Sequence, residues 1–302
     1  MPRFVITGPS GWIGQALLAH LARRLHGPLA GYVTLFASSA RQQTAPSGEG
    51  LPVRDLASIT GADVAGAHVI HLAYLTKDKV AALGEGPFAA TNLAIDSAVL
   101  AAITAARPAS LFVASSGAAA LAQSGADLHP YGMAKLEQEA RFLGWGRQTG
   151  VPVLAGRIFN IAGPYMNKLS AYALSNFVQQ ALTTGHIAIA AKSPVFRSFL
   201  HVDDLCALIA GAAQAGLGRA APVDLCGAEV LEMADLAERV AGLFPVPIPI
   251  TRSLEDLSVS SAYLGHFAQT RVLAMALDHR LAPFDTQLAD TLTWVKTHIG
   301  AE

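Results

Sequence analysis

The sequence predicts an α/β protein with a doubly wound, mainly parallel sheet and a small mixed α/β lobe towards its C-terminal end. Three observations lead to this fold class. An apolar run of strand length at residues 4–7 meets a glycine turn at residues 8–14, and an apolar pattern of helical spacing follows at once. Further apolar runs alternate with helical patterns, as in βαβ units. The 302 residues are 52% hydrophobic and 14% charged, enough for a large buried core.

Charge and cysteine content narrow the classes of partner. The net charge is −1 with both signs dispersed, so we expect neither nucleic acid nor a membrane surface as a partner. No apolar run looks long enough to span a bilayer, and the chain enters a strand without a signal-like segment. Cys206 and Cys226 stand in apolar contexts typical of buried thiols in a reducing compartment. We therefore expect a cytoplasmic protein. The ten histidines form no pattern that predicts a metal site.

The glycine turn has the spacing GxxGxxG, formed by Gly8, Gly11 and Gly14. In such a turn one glycine allows a backbone angle closed to other residues, one leaves room for a phosphate, and one lets helix and strand pack closely. The following helix directs free N–H groups and the positive end of its dipole at the phosphate. The turn predicts a dinucleotide site in a Rossmann-type domain. The alternative is a tight strand–helix turn without a ligand.

The end of the second predicted strand, residues 32–36, bears on the choice of dinucleotide. An acidic residue at this point usually holds the adenosine ribose, but here Ser38, Ser39 and Arg41 follow with no acid. Two hydroxyls and a guanidinium suit a 2′-phosphate. The pattern favours NADP over NAD as cofactor, and a solvated turn with a surface arginine is the alternative.

Three more strands are predicted at residues 51–56, 68–73 and 111–114. The last of these delivers Ser115 and Ser116 at its carboxyl end, where open α/β sheets bind ligands. A helix at residues 92–106 is apolar on most sides, which indicates burial in the core or against a partner subunit.

Tyr131 and Lys135 stand four residues apart at the start of another predicted helix, so both side chains reach the same space. A free tyrosine has a pKa of about 10, and a nearby ammonium favours the phenolate that acid–base chemistry needs. Ser116 can add a hydrogen bond to a substrate oxygen. The pair alone is also what a half-exposed tyrosine above a solvated lysine would show. Its position after the glycine turn and the serine-tipped strand favours catalysis.

These motifs together resemble an extended short-chain dehydrogenase/reductase of the NAD-dependent epimerase/dehydratase type, over nearly the whole chain. The motifs that fall in the family's order are the glycine turn, His71-Leu72-Ala73, Asn92, Ser115-Ser116, Tyr131/Lys135, residues 157–164 and residues 197–204.

The resemblance implies a role for each matching position. Tyr131 is then the general acid/base, Lys135 binds the nicotinamide ribose and lowers the tyrosine pKa, and Ser116 is the third catalytic member. With Ser38, Ser39 and Arg41 from the acid-free strand end, the predicted cofactor-binding residues are Gly8, Ser10, Gly11, Trp12, Ile13, Gly14, Ser38, Ser39, Arg41, Asp55, Leu56, Leu72, Ala73, Tyr74, Asn92, Ser115, Tyr131, Lys135, Phe159 and Asn160. The implied substrate residues are Thr76, Ser116, Gly117, Asn160 and Arg197, with Arg197 on the diphosphate of a nucleotide-activated sugar.

The chain also departs from the family's pattern. The acid after the second strand is missing, and a short loop joins Ser116 to Tyr131. Ser116-Gly117-Ala118 stands where the 4,6-dehydratases carry Thr-Asp-Glu, so dehydration ranks low. Ser198 follows Arg197 where the family more often has aspartate.

The second half predicts the smaller lobe. Helices are expected at residues 170–184, 232–243 and 285–298, with a short strand at 186–190. Asp203 and Asp204 are expected to cap a helix that begins at Leu205. We assign residues 1–160, with part of 190–225, to an NAD(P)-binding Rossmann domain. Residues 161–190 and 226–302 form the substrate-binding lobe in this scheme.

The expected function is an oxidoreductase or isomerase that uses NAD or NADP for hydride transfer at a carbon of a nucleotide-activated sugar. A 4-ketoreductase using NADPH and an epimerase with tightly held NAD both fit. A non-catalytic dinucleotide sensor is the rival from another class, although such proteins typically lack the Tyr/Lys pair. The resemblance also implies a homodimer, formed by the helix at 92–106 and the helix that carries Tyr131.

Overall fold

The computed structural model describes residues 3–299 and builds the chain around one large sheet. In chain order, its strands are β1 (Phe4–Thr7), β2 (Val33–Ala37), β3 (Arg41–Thr44), β4 (Gly50–Asp55), β5 (His68–His71), β6 (Ser110–Ser116), β7 (Val153–Ile158), β8 (Asn160–Ala162), β9 (Ile187–Ile189), β10 (Val195–His201), β11 (Val223–Leu225), β12 (Val230–Glu232), β13 (Ile250–Arg252) and β14 (Ser261–Tyr263). Its α-helices are α1 (Trp12–Arg24), α2 (Gly61–Val64), α3 (Asp78–Leu83), α4 (Glu85–Ala105), α5 (Gly117–Ser124), α6 (Pro130–Thr149), α7 (Ala173–Thr184), α8 (Val202–Gln214), α9 (Met233–Ala241), α10 (Phe267–Ala276) and α11 (Phe284–His298).

The large sheet has eight strands in the order β11-β7-β6-β5-β1-β2-β4-β3. Neighbouring strands are parallel, except that β3 runs antiparallel to β4. From β1 the chain builds outwards through β2 and β4, and it then returns to add β5 on the other side. The order therefore reverses between β1 and β5, and such a switch point leaves a ligand crevice at the carboxyl ends of the strands. The expected doubly wound fold is confirmed, and β3 is an edge strand that the sequence did not predict.

Helices cover both faces because alternate residues of a strand point to opposite sides. On β1, the buried side chains of Phe4 and Ile6 join a core cluster with Leu17 of α1. Val5, between them, joins a second cluster with Val99 of α4. Helices α1 and α8 pack together on the face of the sheet that forms the first cluster, and α4 and α6 pack together on the face that forms the second. The apolar runs of the central strands follow from burial on both faces.

A smaller set of strands lies beyond the large sheet. β10 pairs antiparallel with β12 and parallel with β14 and β8, and β9 pairs parallel with β13. Because β8 follows β7 after one residue, this second sheet starts beside the carboxyl end of the first. β10 and β14 carry Arg197 and Tyr263 towards that end. The division into two domains stays a prediction.

Two local expectations are wrong. The stretch between Ser116 and Tyr131 is not simply a loop, because it contains α5, which Ser116 caps by accepting a hydrogen bond from Ala118 N at 3.2 Å. Asp203 and Asp204 do not cap the next helix either. α8 begins at Val202, and the His201 ring accepts from Asp203 N at 3.1 Å. The two carboxylates bond to other elements instead: Asp203 to His20, and Asp204 to His279 and to Ala282 N.

Helix α4 is longer than the predicted 92–106 helix, and it is the one helix within residues 3–299 whose length and apolar composition would allow it to cross a membrane. This corrects the expectation that no such run exists. Core helices of other proteins pass the same test. One face of α4 carries the buried polar side chains of Asn92 and Asp96 and packs on this fold, as expected of a core helix.

Candidate active site

The glycine turn has the shape of a phosphate cradle. Gly8 has φ +73°, and a Cβ there would lie 2.9 Å from Ala73 N. A Cβ on Gly14 would lie 2.7 Å from Pro9 Cα, so this glycine lets α1 press against the turn. A Cβ on Gly11 would meet only Gly8 O, at 3.6 Å, and would otherwise occupy open space. Among the described residues no side chain caps α1, and no acid lies in its first turn, so its N–H groups are available to an anion.

Unsatisfied polar atoms border the crevice beside this turn. Asn92 Oδ1 accepts from Leu75 N at 2.8 Å, but its buried Nδ2 has no partner among the described residues. The hydroxyl of Tyr74 is likewise buried and unpaired there, and burial raises the pKa of this tyrosine. Buried polar groups are normally paired, so unpaired ones beside an anion cradle fit a missing polar ligand such as a dinucleotide. The residues present therefore fit the cofactor that the sequence implies.

The structure brings Tyr131, Ser116 and Lys135 together at the carboxyl end of β6. Ser116 is the last residue of β6, and Tyr131 and Lys135 lie on the first two turns of α6. Burial raises the pKa of Tyr131 to about 12, and the neighbouring Ser116 hydroxyl opposes this rise. Ser116 Oγ also lies 3.1 Å from the hydroxyl of Tyr263. A phenol with a pKa this high is protonated at neutral pH.

Lys135 is buried behind the tyrosine. Its Nζ donates to Ala114 O at 2.6 Å and to Gln138 Oε1 at 2.9 Å, and it lies 3.6 Å from the ring centre of Tyr74. Burial lowers the pKa of Lys135 to about 7, while the charges of Asp96 and Glu139 oppose this fall. The charge of such a lysine depends on the groups that surround it.

A buried ion pair supports the strand end from below. Arg157 on β7 donates to Glu139 through Nε at 2.8 Å and through a terminal nitrogen at 2.7 Å. Glu139 also accepts from Ser115 Oγ at 2.5 Å. Ser115, predicted as a cofactor residue, is thus occupied as a structural donor, and its partner Ser116 is left to face the crevice.

The opposite wall comes from the second sheet. Arg197 on β10 is half-buried, lies 5.8 Å from the ring centre of Tyr263 and donates to Phe196 O at 2.8 Å. No carboxylate pairs with Arg197 within the part of the chain that the structure describes. Asn160 donates to the carbonyls of Ser198 and Tyr263 at 3.3 and 3.4 Å. A guanidinium without a carboxylate partner suits an anionic group of a ligand.

The remaining predicted residues lie around this crevice or support it. Ser38, Ser39 and Arg41 are exposed beyond β2, and Arg41 donates to Ser10 Oγ at 2.9 Å. The buried or supporting members are Trp12, which bonds Pro164 O; Ile13 on α1; Leu56; Asp55, which caps a short turn; Leu72 and Ala73, whose N–H groups bond Thr7; and Phe159, whose ring is tilted against that of Tyr263 at 5.0 Å. Gly117 packs against Phe159, and Thr76 bonds Asp78 at the surface, so neither presents a free polar side chain to a substrate.

Sequence reasoning missed three residues of this region. Tyr263 lies 147 positions from Ser116, and no local pattern links them. Asp96 did carry a signal, because a lone acid within an apolar helix must find a buried partner. Gln138 follows Lys135 by three residues on the same helix face, which places the two side chains within reach.

A doubly wound sheet with a glycine turn after β1, at its switch point, and a Ser/Tyr/Lys constellation at the carboxyl end of β6 defines the short-chain dehydrogenase/reductase class. More specifically, the profile of the NAD-dependent epimerase/dehydratase family matches residues 4–221, and the chain belongs to this family.

Solved structures share the architecture over almost the full length. UDP-N-acetylglucosamine 4-epimerase from Methanobrevibacter ruminantium M1, in complex with UDP-N-acetylmuramic acid, is similar with a TM-score of 0.77 at 18% identity over 99% of each chain. MoeE5 in complex with UDP-glucose and NAD gives 0.73 at 20% identity, over 99% of this chain and 100% of that one. At these identities the similarity shows the fold. UDP-glucuronic acid decarboxylase 6 of Arabidopsis thaliana is 29% identical over 121 residues, which span 40% of this chain and 34% of that relative.

Proposed function

We propose that this protein is an NAD(P)-dependent enzyme that transfers hydride at a carbon of a nucleotide-activated sugar. The observation that carries the proposal is the meeting of Tyr131, Ser116 and Lys135 beside an open phosphate cradle. If Tyr131 and Lys135 had only a structural role, the fold would not need to bury an ammonium group among neutral acceptors beside a ligand crevice. Membership of the family and the nucleotide sugars bound by its structural neighbours support the same class of substrate.

Each group has a distinct task in this chemistry. The bound nicotinamide would accept or supply the hydride. Tyr131 takes the proton from the sugar hydroxyl as the carbon is oxidised, or returns it on reduction. Ser116 hydrogen-bonds the same sugar oxygen, and the ammonium of Lys135 stabilises the phenolate. Gly11 and the start of α1 hold the pyrophosphate of the cofactor.

Arg197 is proposed as the anchor of the sugar nucleotide. Its guanidinium has no acidic partner among residues 3–299 and stands on the wall opposite Tyr131, with Tyr263 between them. A diphosphate would supply the missing negative charge. Asn160 and Tyr263 then border the sugar, on the side away from the glycine turn.

Two reactions share this machinery, and the cofactor separates them. An epimerase oxidises the sugar, turns it over and reduces it again, so it keeps its NAD; the family and the 4-epimerase neighbour favour this outcome. A 4-ketoreductase exchanges NADPH at each turnover. The acid-free end of β2, with exposed Ser38, Ser39 and Arg41, favours this second outcome.

Identification of any nicotinamide released from the purified, denatured protein tests the proposal. Stoichiometric NAD is the result expected of an epimerase. A protein that comes empty and binds NADPH would be the ketoreductase, and Arg41→Ala should then weaken NADPH about 10- to 100-fold, for one lost charged contact, and leave NADH unchanged. Arg219→Ala, at an exposed arginine of another surface, is the matched control. Binding of neither cofactor would contradict the proposal.

The dimer is also a proposal, supported by the outer faces of α4 and α6. Leu93 on α4 is 49% exposed and Met133 on α6 is 39% exposed in the single chain. We expect two such helices from each subunit to pack together. Leu93→Asp should give a monomer by sedimentation, because an unpaired charge in an apolar interface is costly, whereas the control Leu257→Asp, in an exposed loop, should not. A monomeric wild type at micromolar concentration would refute the dimer.

A cytoplasmic location stays part of the proposal. It is supported by the two cysteines, which the structure leaves as buried free thiols. Nucleotide-activated sugars as substrates are compatible with that compartment.

A further inference from the structure

A chain of buried hydrogen bonds lies behind Lys135, on the side away from the crevice. The ammonium donates to two neutral acceptors, Ala114 O and Gln138 Oε1, and no carboxylate of residues 3–299 touches it. Gln138 Nε2 in turn donates to Asp96 Oδ1 at 2.7 Å. The amide of Gln138 therefore links the ammonium of Lys135 to the buried carboxylate of Asp96 on α4 by hydrogen bonds.

Asp96 determines which way this amide points. An ionised carboxylate only accepts hydrogen bonds, so the NH₂ group of Gln138 must face Asp96. The amide oxygen must then face Lys135, where it accepts one of the ammonium's three protons. With Gln138 reversed, an NH₂ group would confront the ammonium. The orientation that suits a charged lysine is thus dictated from the far side of the amide.

The hydrogen bonds continue from Asp96 to the end of β1. His71 Nε2 lies 3.1 Å from Asp96 Oδ1, and His71 Nδ1 lies 2.7 Å from Thr7 Oγ. Thr7 Oγ also accepts from the N–H groups of Leu72 and Ala73, each at 3.1 Å. Hydrogen bonds through His71 therefore connect Thr7, the last residue of β1, to the carboxylate of Asp96.

The charges around Lys135 show why this carboxylate matters. The groups that face it are Asp96 from α4, Glu139 on α6 and the ring of Tyr74 from the segment after β5. Glu139 forms a bidentate ion pair with Arg157, and this guanidinium offsets much of its negative charge. Asp96 is fully buried. Among residues 3–299 it pairs with the guanidinium of Arg141 at 2.7 Å, which is 27% exposed to water, and with the His71 ring at 3.1 Å. Burial would raise the pKa of Asp96, but its hydrogen bonds hold that pKa below the ordinary value.

We propose that Asp96, acting through Gln138, is a positioning residue that keeps Lys135 cationic and holds its ammonium towards the nicotinamide ribose and Tyr131. The inference rests on the hydride-transfer function proposed above, in which that ammonium stabilises the phenolate. It adds to the Ser/Tyr/Lys constellation a buried amide and a carboxylate that touch neither substrate nor cofactor.

The test is the pH at which Tyr131 ionises in the complex with NAD⁺ or NADP⁺, followed by tyrosinate absorbance with Tyr131→Phe as the blank. Gln138→Met keeps the length of the side chain and removes both hydrogen-bonding groups. We expect its midpoint to rise by about one pH unit and its cofactor affinity to fall several-fold, since a tenfold change in the ionisation constant is one unit. Gln148→Met, an exposed glutamine on the same helix, should leave both unchanged.

Gln138→Glu provides the rescue. Beside Asp96 the new carboxyl should hold a proton, donate it to Asp96 and still offer its carbonyl oxygen to Lys135, which restores the pattern. The ionisation constant of Tyr131 in this variant should stay within about threefold of the wild-type value. Thermal unfolding checks that all variants fold. Two results would overturn the positioning role alone. One is a Gln138→Met protein with the cofactor affinity and the Tyr131 ionisation midpoint of the wild type. The other is a Gln138→Glu protein whose midpoint shifts as much as that of Gln138→Met. A wild type that binds neither cofactor overturns the proposed function together with it.

Discussion

Replacing Tyr131 with phenylalanine is expected to lower kcat by about 100- to 10,000-fold, the range that general acid–base catalysis contributes. The substitution removes the hydroxyl that moves the proton and keeps the ring, which is packed 6.4 Å from the ring of Tyr74. Cofactor affinity should change little, because the glycine turn and Asn92 are untouched. Turnover is measured with UDP-glucose, UDP-N-acetylglucosamine and UDP-glucuronic acid, and binding by titration with NADH and NADPH.

Tyr32→Phe is the matched control for the loss of a phenol hydroxyl. Tyr32 is buried just before β2, at the amino end of the sheet, where its hydroxyl donates to His26 O at 2.6 Å. This variant can lose stability but should keep kcat. Full activity in Tyr131→Phe would remove Tyr131 from the chemistry. A protein that binds cofactor but turns over no nucleotide sugar, with or without Tyr131, would be the dinucleotide sensor instead.

Two alanine substitutions in the glycine turn should have different effects, one on cofactor affinity and the other on stability. Gly11→Ala places its methyl in the open space of the cradle at a negative φ of −71°, so the protein should fold normally. The methyl keeps the phosphate away from the N–H groups of α1. Cofactor affinity should therefore fall by about 10- to 100-fold, the equivalent of one charge-assisted hydrogen bond.

Gly14→Ala places its methyl against Gly8 O and Pro9, with Pro9 Cα only 2.7 Å away. Backbone atoms cannot rotate aside, so we expect a loss of about 3 kcal/mol in the free energy of unfolding, at the upper end of overpacking costs. Urea unfolding measures this loss, and Gly31→Ala, where an added methyl meets no atom, is the control. Equal stability in Gly14→Ala, or undiminished binding in Gly11→Ala, would contradict the cradle.

The sequence by itself determined the large sheet and the order of the chemistry along it. Apolar runs bounded by Gly8 and by Ser115-Ser116 gave strands whose positions the structure confirms to within a few residues. The spacing of Tyr131 and Lys135 placed both on one helix face, since neighbours on a helix depend on local geometry alone. These features are short-range, which is why a linear pattern carries them.

Only the tertiary structure decided which groups meet across the fold. It brought Tyr263 to Ser116 from the far end of the chain and turned Asp203 and Asp204 away from their helix towards His20 and His279. It also enclosed Asp96 between β5 and α6, where His71, Gln138 and Arg141 satisfy it. A buried polar group must be paired, but its partner is chosen by the packing of whole elements, and no local spacing records that choice.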